Sequence, residues 1–229
     1  MLISFLGEAE VIIALTNSKG GVGKSTRAVH LAAWWQEQGA KVALVDADAQ
    51  GSSAVWLQEA SPQTPVLRLQ TPDDILDGVP KRQTQFEHLV IDGPGGLTEV
   101  TRAIRLVADL AVLPCGPSAL DLRAVNEAIR VVQQAQNIRH GPPPAVLVPN
   151  KLQVQYRLSR ELVEMLATLG IPNSPGLRLR QAYADAAGQG TVVWRLGPRG
   201  EMAGNEIREL FHGLLGQKQT DIGRSVANG

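Results

Sequence analysis

At 229 residues and 44% hydrophobic composition, the chain is long enough for one large α/β domain or two small ones, and it excludes a disordered or fibrous protein. Its 22 basic and 22 acidic side chains leave a formal net charge of zero, so overall charge argues for no partner, although a local basic patch assembled across two subunits stays open. A lone cysteine, Cys115, excludes an internal disulfide and a cluster held by paired thiols, and it fits a cytoplasmic protein.

In chain order, Met1–Leu6 is apolar but short, lacks a basic flank and is followed by Glu8 and Glu10, which argues against a signal peptide. Residues 1–10 are read as an N-terminal extension, and the natural protein could begin after them. Short apolar runs follow at Val11–Thr16, Val42–Val45, Val66–Leu69, His88–Ile91, Leu110–Leu113 and Ala145–Val148, with Leu177–Leu179 as a further strand. Their hydrophobicity is continuous rather than alternating, as expected of strands covered on both faces. Helical patterns lie between them: Ser25–Gln38 ending at Gly39, Asp121–Gln136, Arg157–Leu169 ending at Gly170, and Glu201–Leu215 ending at Gly216. The alternation predicts an α/β fold, a mostly parallel sheet with helices on both faces, in a single domain over 11–216. The Pro-rich stretch 141–144 turns the chain into the last strand, and 217–229 reads as a polar, frayed tail. No apolar run reaches the roughly 20 residues needed to span a bilayer.

The first strand runs into Asn17-Ser18-Lys19-Gly20-Gly21-Val22-Gly23-Lys24-Ser25-Thr26 and then a helix. Glycines there let backbone N–H groups turn inward around phosphate oxygens, and the helix N-terminus adds the positive end of its dipole. Lys24 is expected at the β- and γ-phosphates, the Ser25 hydroxyl on Mg²⁺ and Thr26 at the α-phosphate. Where the general phosphate-loop pattern has its first glycine this chain has Ser18, and it adds Lys19. The string from Lys19 to Thr26 resembles the deviant Walker A box of the ParA/MinD superfamily of P-loop ATPases. The resemblance implies a P-loop NTPase fold, ATP and Mg²⁺ as cofactors, and a first lysine that reaches across a homodimer to the partner's ATP.

Two further strands end in carboxylates, which are costly at a buried strand end unless they meet a cation or donors. Asp46-Ala47-Asp48-Ala49-Gln50 resembles the family's second acidic box, which implies that Asp46 stands near the Mg²⁺ shell and Asp48 activates the attacking water. Leu89-Val90-Ile91-Asp92 resembles a Walker B strand, with Asp92 holding Mg²⁺ through water. The family's Asp-x-Pro-Pro is Asp92-Gly93-Pro94-Gly95 here, which predicts a more flexible switch loop that senses the γ-phosphate. Pro114–Asp121 is similar to the family's Pro-x-x-Pro-Ser-x-x-Asp region, and Pro149-Asn150-Lys151 to the segment that supplies a purine-facing asparagine, which assigns Asn150 to adenine.

What the ATP is used for separates the members of this superfamily. A MinD-like, membrane-associated regulator needs an amphipathic C-terminal helix, whereas residues 211–221 carry two glycines and turn polar. Residues 151–229 hold ten Lys/Arg against seven Asp/Glu, while 1–150 hold twelve against fifteen. That bias makes Arg157, Arg160, Arg178, Arg180, Arg195, Arg199 and Arg208 the candidate DNA-phosphate contacts, with salt-bridged surface as the other reading of each. Trp34 and Trp35 are expected as one core and one boundary residue, and Trp56 and Trp194 in packing rather than base stacking. The resemblance therefore implies a ParA-like partition ATPase, cytoplasmic and nucleoid-associated, that dimerises on ATP, binds nonspecific double-stranded DNA and is stimulated by a ParB-like adaptor. A ligase on the same scaffold, of the dethiobiotin-synthetase-like type, is the alternative.

Overall fold

The computed structural model describes residues 10–141 and 143–215; the extension, the tail and Pro142 lie outside the described residues. Six strands, β1 (Val11–Asn17), β2 (Val42–Asp46), β3 (Val66–Arg68), β4 (His88–Gly95), β5 (Leu110–Cys115) and β6 (Ala145–Pro149), form one sheet in the order β3-β2-β4-β1-β5-β6. Each neighbouring pair is parallel. The continuous apolar runs have their predicted cause: β1, β2, β5 and β6 are buried at every position. One face of the sheet, through Ile13, Leu15, Leu44 and Val90, packs on α1 (Lys24–Glu37), α2 (Ser52–Ala60), α7 (Gln181–Gly188) and α8 (Glu201–Leu215). The other face meets α3 (Pro72–Gln83) and α4 (Glu99–Val107) through Ala14, Val45 and Ile91, and α5 (Ala119–Arg139) and α6 (Arg157–Thr168) through Leu113 and Leu147. Each such side chain taken fully from water contributes about 1.5–3 kcal/mol. Between β4 and β5 the central strand β1 forms the point where successive connections diverge, which leaves a crevice at the carboxyl ends of the strands.

Among the described residues, four of the eight α-helices are legible in the sequence as periodic segments. The other four are short or carry breakers. α3 contains Gly78 and Pro80, and is nucleated by a capping box in which the Thr71 hydroxyl accepts from the Asp74 N–H. Gly78 packs closely on Leu69, whose side chain would lie 3.1 Å from a Cβ there. The expected strand Leu177–Leu179 is only a bridge between Arg178 and Leu152, beside the covered edge of β6. Trp34 and Trp35 are both core, each 3% exposed, rather than one core and one boundary residue. Cys115 is buried, and burial pushes its thiol up to about 12, so it is inert packing.

A histidine locks α1 to the C-terminal elements. His30 Nδ1 lies 2.6 Å from the Thr26 carbonyl, and the Val193 N–H donates to Nε2 at 3.1 Å. The ring therefore donates at Nδ1 and accepts at Nε2, and must be neutral. Trp56, Tyr183 and Trp194 surround it edge-on. Burial, the dominant cause, lowers its pKa from 6.5 to about 4. The native state thus binds fewer protons than the unfolded chain in that window, so its contribution to stability is intact above 6.5 and is lost as pH falls toward 4. Urea unfolding between about pH 7 and about pH 5 should show a loss approaching 1.4 kcal/mol per unit below the unfolded pKa, and His30→Gln should flatten that slope. Parallel pH profiles for the two proteins would remove His30 from the account.

Candidate functional site

The site is built where β1 hands over to α1. The Asn17 side chain anchors the turn, donating to the Pro114 carbonyl at 2.5 Å and accepting from the Lys19 N–H at 3.1 Å. Gly21 and Gly23 adopt φ of 72° and 90°, left-handed values that side chains resist. Gly23 is the N-cap of α1 and offers no side chain to its first turn. The opening N–H groups of the helix are left for an anion, with the dipole aligned behind them.

Lys24 lies over this loop, 6% exposed, with Nζ 3.2 Å from the Lys19 carbonyl. Burial lowers its pKa, and the charges of Asp92 and Asp48 oppose that shift. Asp92, within β4, is paired in register with Asp46, the last residue of β2. Burial raises the Asp92 pKa to about 6, although the Ser25 and Ser53 hydroxyls and Lys24 pull it down. Neither of its oxygens has a hydrogen-bond partner of normal geometry. A buried carboxylate with two free oxygens next to a serine hydroxyl is an oxygen donor set that fits Mg²⁺. Asp46 is used differently: its two oxygens accept from the Asp48 N–H at 3.1 Å and the Ala54 N–H at 2.9 Å. It fixes the loop and caps α2, while Ser25 and Asp92 keep oxygens available. Asp48 stands half-buried at the crevice, its carboxylate accepting from the Gln50 N–H at 3.0 Å.

The glycines after Asp92 serve contact rather than looseness. β4 continues through Gly95, which pairs with Asn17. A Cβ on Gly95 would come within 3.3 Å of the Gly20 backbone, and one on Gly93 within 3.2 Å of the Leu15 carbonyl. The expected flexible switch segment is, up to Gly95, a strand pressed against the phosphate loop.

Three partnerships bridge distant parts of the chain. Lys19 Nζ lies 2.7 Å from Asp121 of α5, whose other oxygen accepts from the Ser118 hydroxyl at 2.5 Å. Asn150 Nδ2 donates to the Val22 carbonyl at 2.6 Å, and Lys151 Nζ to the Gly21 carbonyl at 2.8 Å. Beside Gly23 opens a cleft of about 320 Å³ lined by Thr26, Asn150, Lys151, Leu177 and Tyr183. The partnering roles of Asp121 and Lys151 had no signature in the sequence beyond a Ser-x-x-Asp helix start and a residue following Asn150.

The seven arginines are not equivalent. Arg178 and Arg180 share Glu206 and line the cleft. Arg195 is held by Glu37 at 2.6 Å, Arg157 by Glu161 at 2.5 Å, and Arg208 lies 5.2 Å from the Trp194 ring centre. Arg160 and Arg199 are exposed. The indole nitrogens of Trp56 and Trp194 bond to Thr191 and Glu37, so both residues pack within the protein.

The model of the CobQ/CobB/MinD/ParA nucleotide binding domain matches residues 13–193, which spans the loop, both carboxylate strands and all of the cleft lining but Ile207. The chain belongs to this family. It is a ParA/MinD-like ATPase of the family's α/β fold. It is 30% identical over 209 residues to the maintenance of carboxysome distribution protein A of Halothiobacillus neapolitanus, covering 89% of this chain and 95% of that protein. Among solved structures, an ATP complex of a McdA variant from Cyanothece superposes with a TM-score of 0.77 at 17% identity, covering 93% of this chain and 99% of that one. Cobyrinic acid a,c-diamide synthase from Mycobacterium smegmatis, with an ATP analogue and magnesium, shares the fold at a TM-score of 0.63 and 21% identity, over 79% and 93% of the two chains. Among the described residues, no helix is long and apolar enough to cross a membrane.

Proposed function

We propose that this chain is a ParA-like positioning ATPase: it dimerises on Mg-ATP, binds nonspecific DNA in that state, and releases it after adaptor-stimulated hydrolysis. The observation that carries the reading is Lys19. It lies outside the loop's own phosphate cradle, 38% exposed and held by Asp121, so a swing away from that carboxylate frees a cation for a second subunit's ATP. The likeness to the carboxysome distribution protein of Halothiobacillus neapolitanus favours a protein organelle as cargo over a plasmid or a chromosome origin.

In the proposed cycle the N-terminus of α1, with Lys24, takes the phosphates, while Ser25 and Asp92 hold Mg²⁺. The ion, when bound, supplies positive charge to the developing charge on the transferred phosphoryl group. Asp48 orients and deprotonates the water that attacks the γ-phosphorus, and ADP leaves as the P–O bond breaks. Asp46 keeps the Asp48 loop in register. On the DNA side, Arg160, Arg199 and Arg208 are those of the seven arginines without an ion pair among the described residues, whereas Arg157, Arg178, Arg180 and Arg195 are each already paired with a carboxylate. Two subunits double this modest patch.

Nonspecific duplex DNA should bind in Mg-ATP and not in Mg-ADP or without nucleotide, with affinity falling steeply with salt as counterions are released. Equal binding in all three states would contradict a nucleotide switch. Absence of binding in all three, with ATP bound, would favour the ligase-type alternative whose fold the cobyrinic acid a,c-diamide synthase shares.

A further inference from the structure

Arg27 follows the phosphate loop by one residue and has no role in the cycle above. It is 2% exposed, on the first turn of α1. One guanidinium nitrogen, Nη1, donates to the Gly23 carbonyl at 2.8 Å and lies 3.5 Å from the Val22 carbonyl. The other two, Nε and Nη2, are buried without any acceptor. No ion pair reaches it among the described residues, and burial lowers its pKa to about 10. A buried cation with two unanswered donors is expensive, and of the two such arginines among the described residues, Arg27 and Arg105, it is Arg27 that lies beside the phosphate loop and lines its cleft.

Arg27 lines the cleft that opens at Gly23 and Thr26. Its Nη1 and the Asn150 amide nitrogen both crowd Gly23, where a Cβ would lie 2.7 Å from the first and 2.8 Å from the second. Both groups therefore stand at the point where a nucleotide leaves the phosphate loop. With its phosphates at the N-terminus of α1, a nucleotide extends its nucleoside into this cleft. The cleft's other cations are already answered: Arg178 and Arg180 by Glu206, and Lys151 by the Gly21 carbonyl. No carboxylate lines it. Guanidinium is a donor only, and a purine presents ring-nitrogen acceptors in one plane.

We infer that Arg27 is a nucleoside-binding residue, which donates from the wall of this cleft to acceptor atoms of the purine base. This rests on the nucleotide-binding reading of the loop. Arg27→Met replaces the buried cation by an apolar side chain of similar length, and titration calorimetry then compares two ligands, ADP and inorganic tripolyphosphate. Loss of a charged donor to the base should weaken ADP about ten- to a hundredfold while tripolyphosphate stays within about twofold. If Arg27 only props the loop through the Val22 and Gly23 carbonyls, both ligands weaken by the same factor, and the inference fails. Unchanged ADP affinity overturns it equally. Should Arg27→Met not fold, Arg27→Lys keeps the charge but loses the planar fork, and must show the same selectivity for ADP. Wild-type protein that binds neither ligand would instead overturn the underlying reading of the loop.

Discussion

Lys24→Ala should lose ATP binding almost completely while the protein stays folded. The lysine is 6% exposed and sits in the field of Asp92 and Asp48, yet its only hydrogen-bond acceptor in the described structure is the Lys19 carbonyl. Its charge is therefore held over the loop and available to a phosphate, in a place where little water competes. Charge-assisted contacts to phosphate are worth about 1.5–3 kcal/mol each, and a lysine here makes more than one, so affinity should fall by roughly two to three orders of magnitude. Removing the cation also takes one positive charge from beside Asp92. Calorimetry with ATP and thermal unfolding of the same sample separate lost binding from lost fold. Retained affinity within a few fold would mean that the loop is not the phosphate site.

Asp48→Ala should separate binding from turnover. Asp48 is the carboxylate that reaches the crevice, while Asp46 behind it is fully buried and committed to two backbone N–H groups. Removing the Asp48 side chain leaves that inner scaffold in place. ATP should bind within a few fold of wild type, and the hydrolysis rate should fall about 10²- to 10⁴-fold, the range of a lost general base. The variant should then accumulate in its ATP state. Asp46→Ala should behave differently, because it releases the N–H groups of Asp48 and Ala54 and lowers stability as well as rate. Steady-state phosphate release measures the first effect and thermal unfolding the second. Normal turnover in Asp48→Ala would remove it from the chemistry.

The parts of this molecule that were legible in its sequence are those written locally. Strands buried on both faces announce themselves as continuous apolar runs, and β1, β2, β5 and β6 stand where those runs predict. The phosphate loop is contiguous, so its glycines, Lys24 and Ser25 were readable together. Contacts between distant residues were not. Asn150 meets Val22 across 128 positions, and no spacing rule predicts that its amide would brace the loop. Asp121 could be read as a helix-capping residue, but only the packing of α5 beside the loop brings it to Lys19. The opposite failure occurred at Gly93 and Gly95, where glycine suggested looseness and the fold uses the missing Cβ for close approach to Leu15 and Gly20. Likewise α3 hid behind Gly78 and Pro80, although its Thr71–Asp74 capping box was in plain view. Local rules thus located the loop and the carboxylates beside it, and tertiary packing decided which carboxylate keeps its oxygens free, which one accepts from backbone N–H groups and which lysine pairs with Asp121.

The most direct measurement is the mass of the Asp48→Ala particle in solution, by light scattering after size exclusion, in Mg-ATP and in Mg-ADP. A dimer in Mg-ATP that becomes a monomer in Mg-ADP, and that is weakened when Lys19→Ala is added, is the predicted result. A monomer in both states with ATP demonstrably bound, or a dimer indifferent to nucleotide and to Lys19, would contradict the switch.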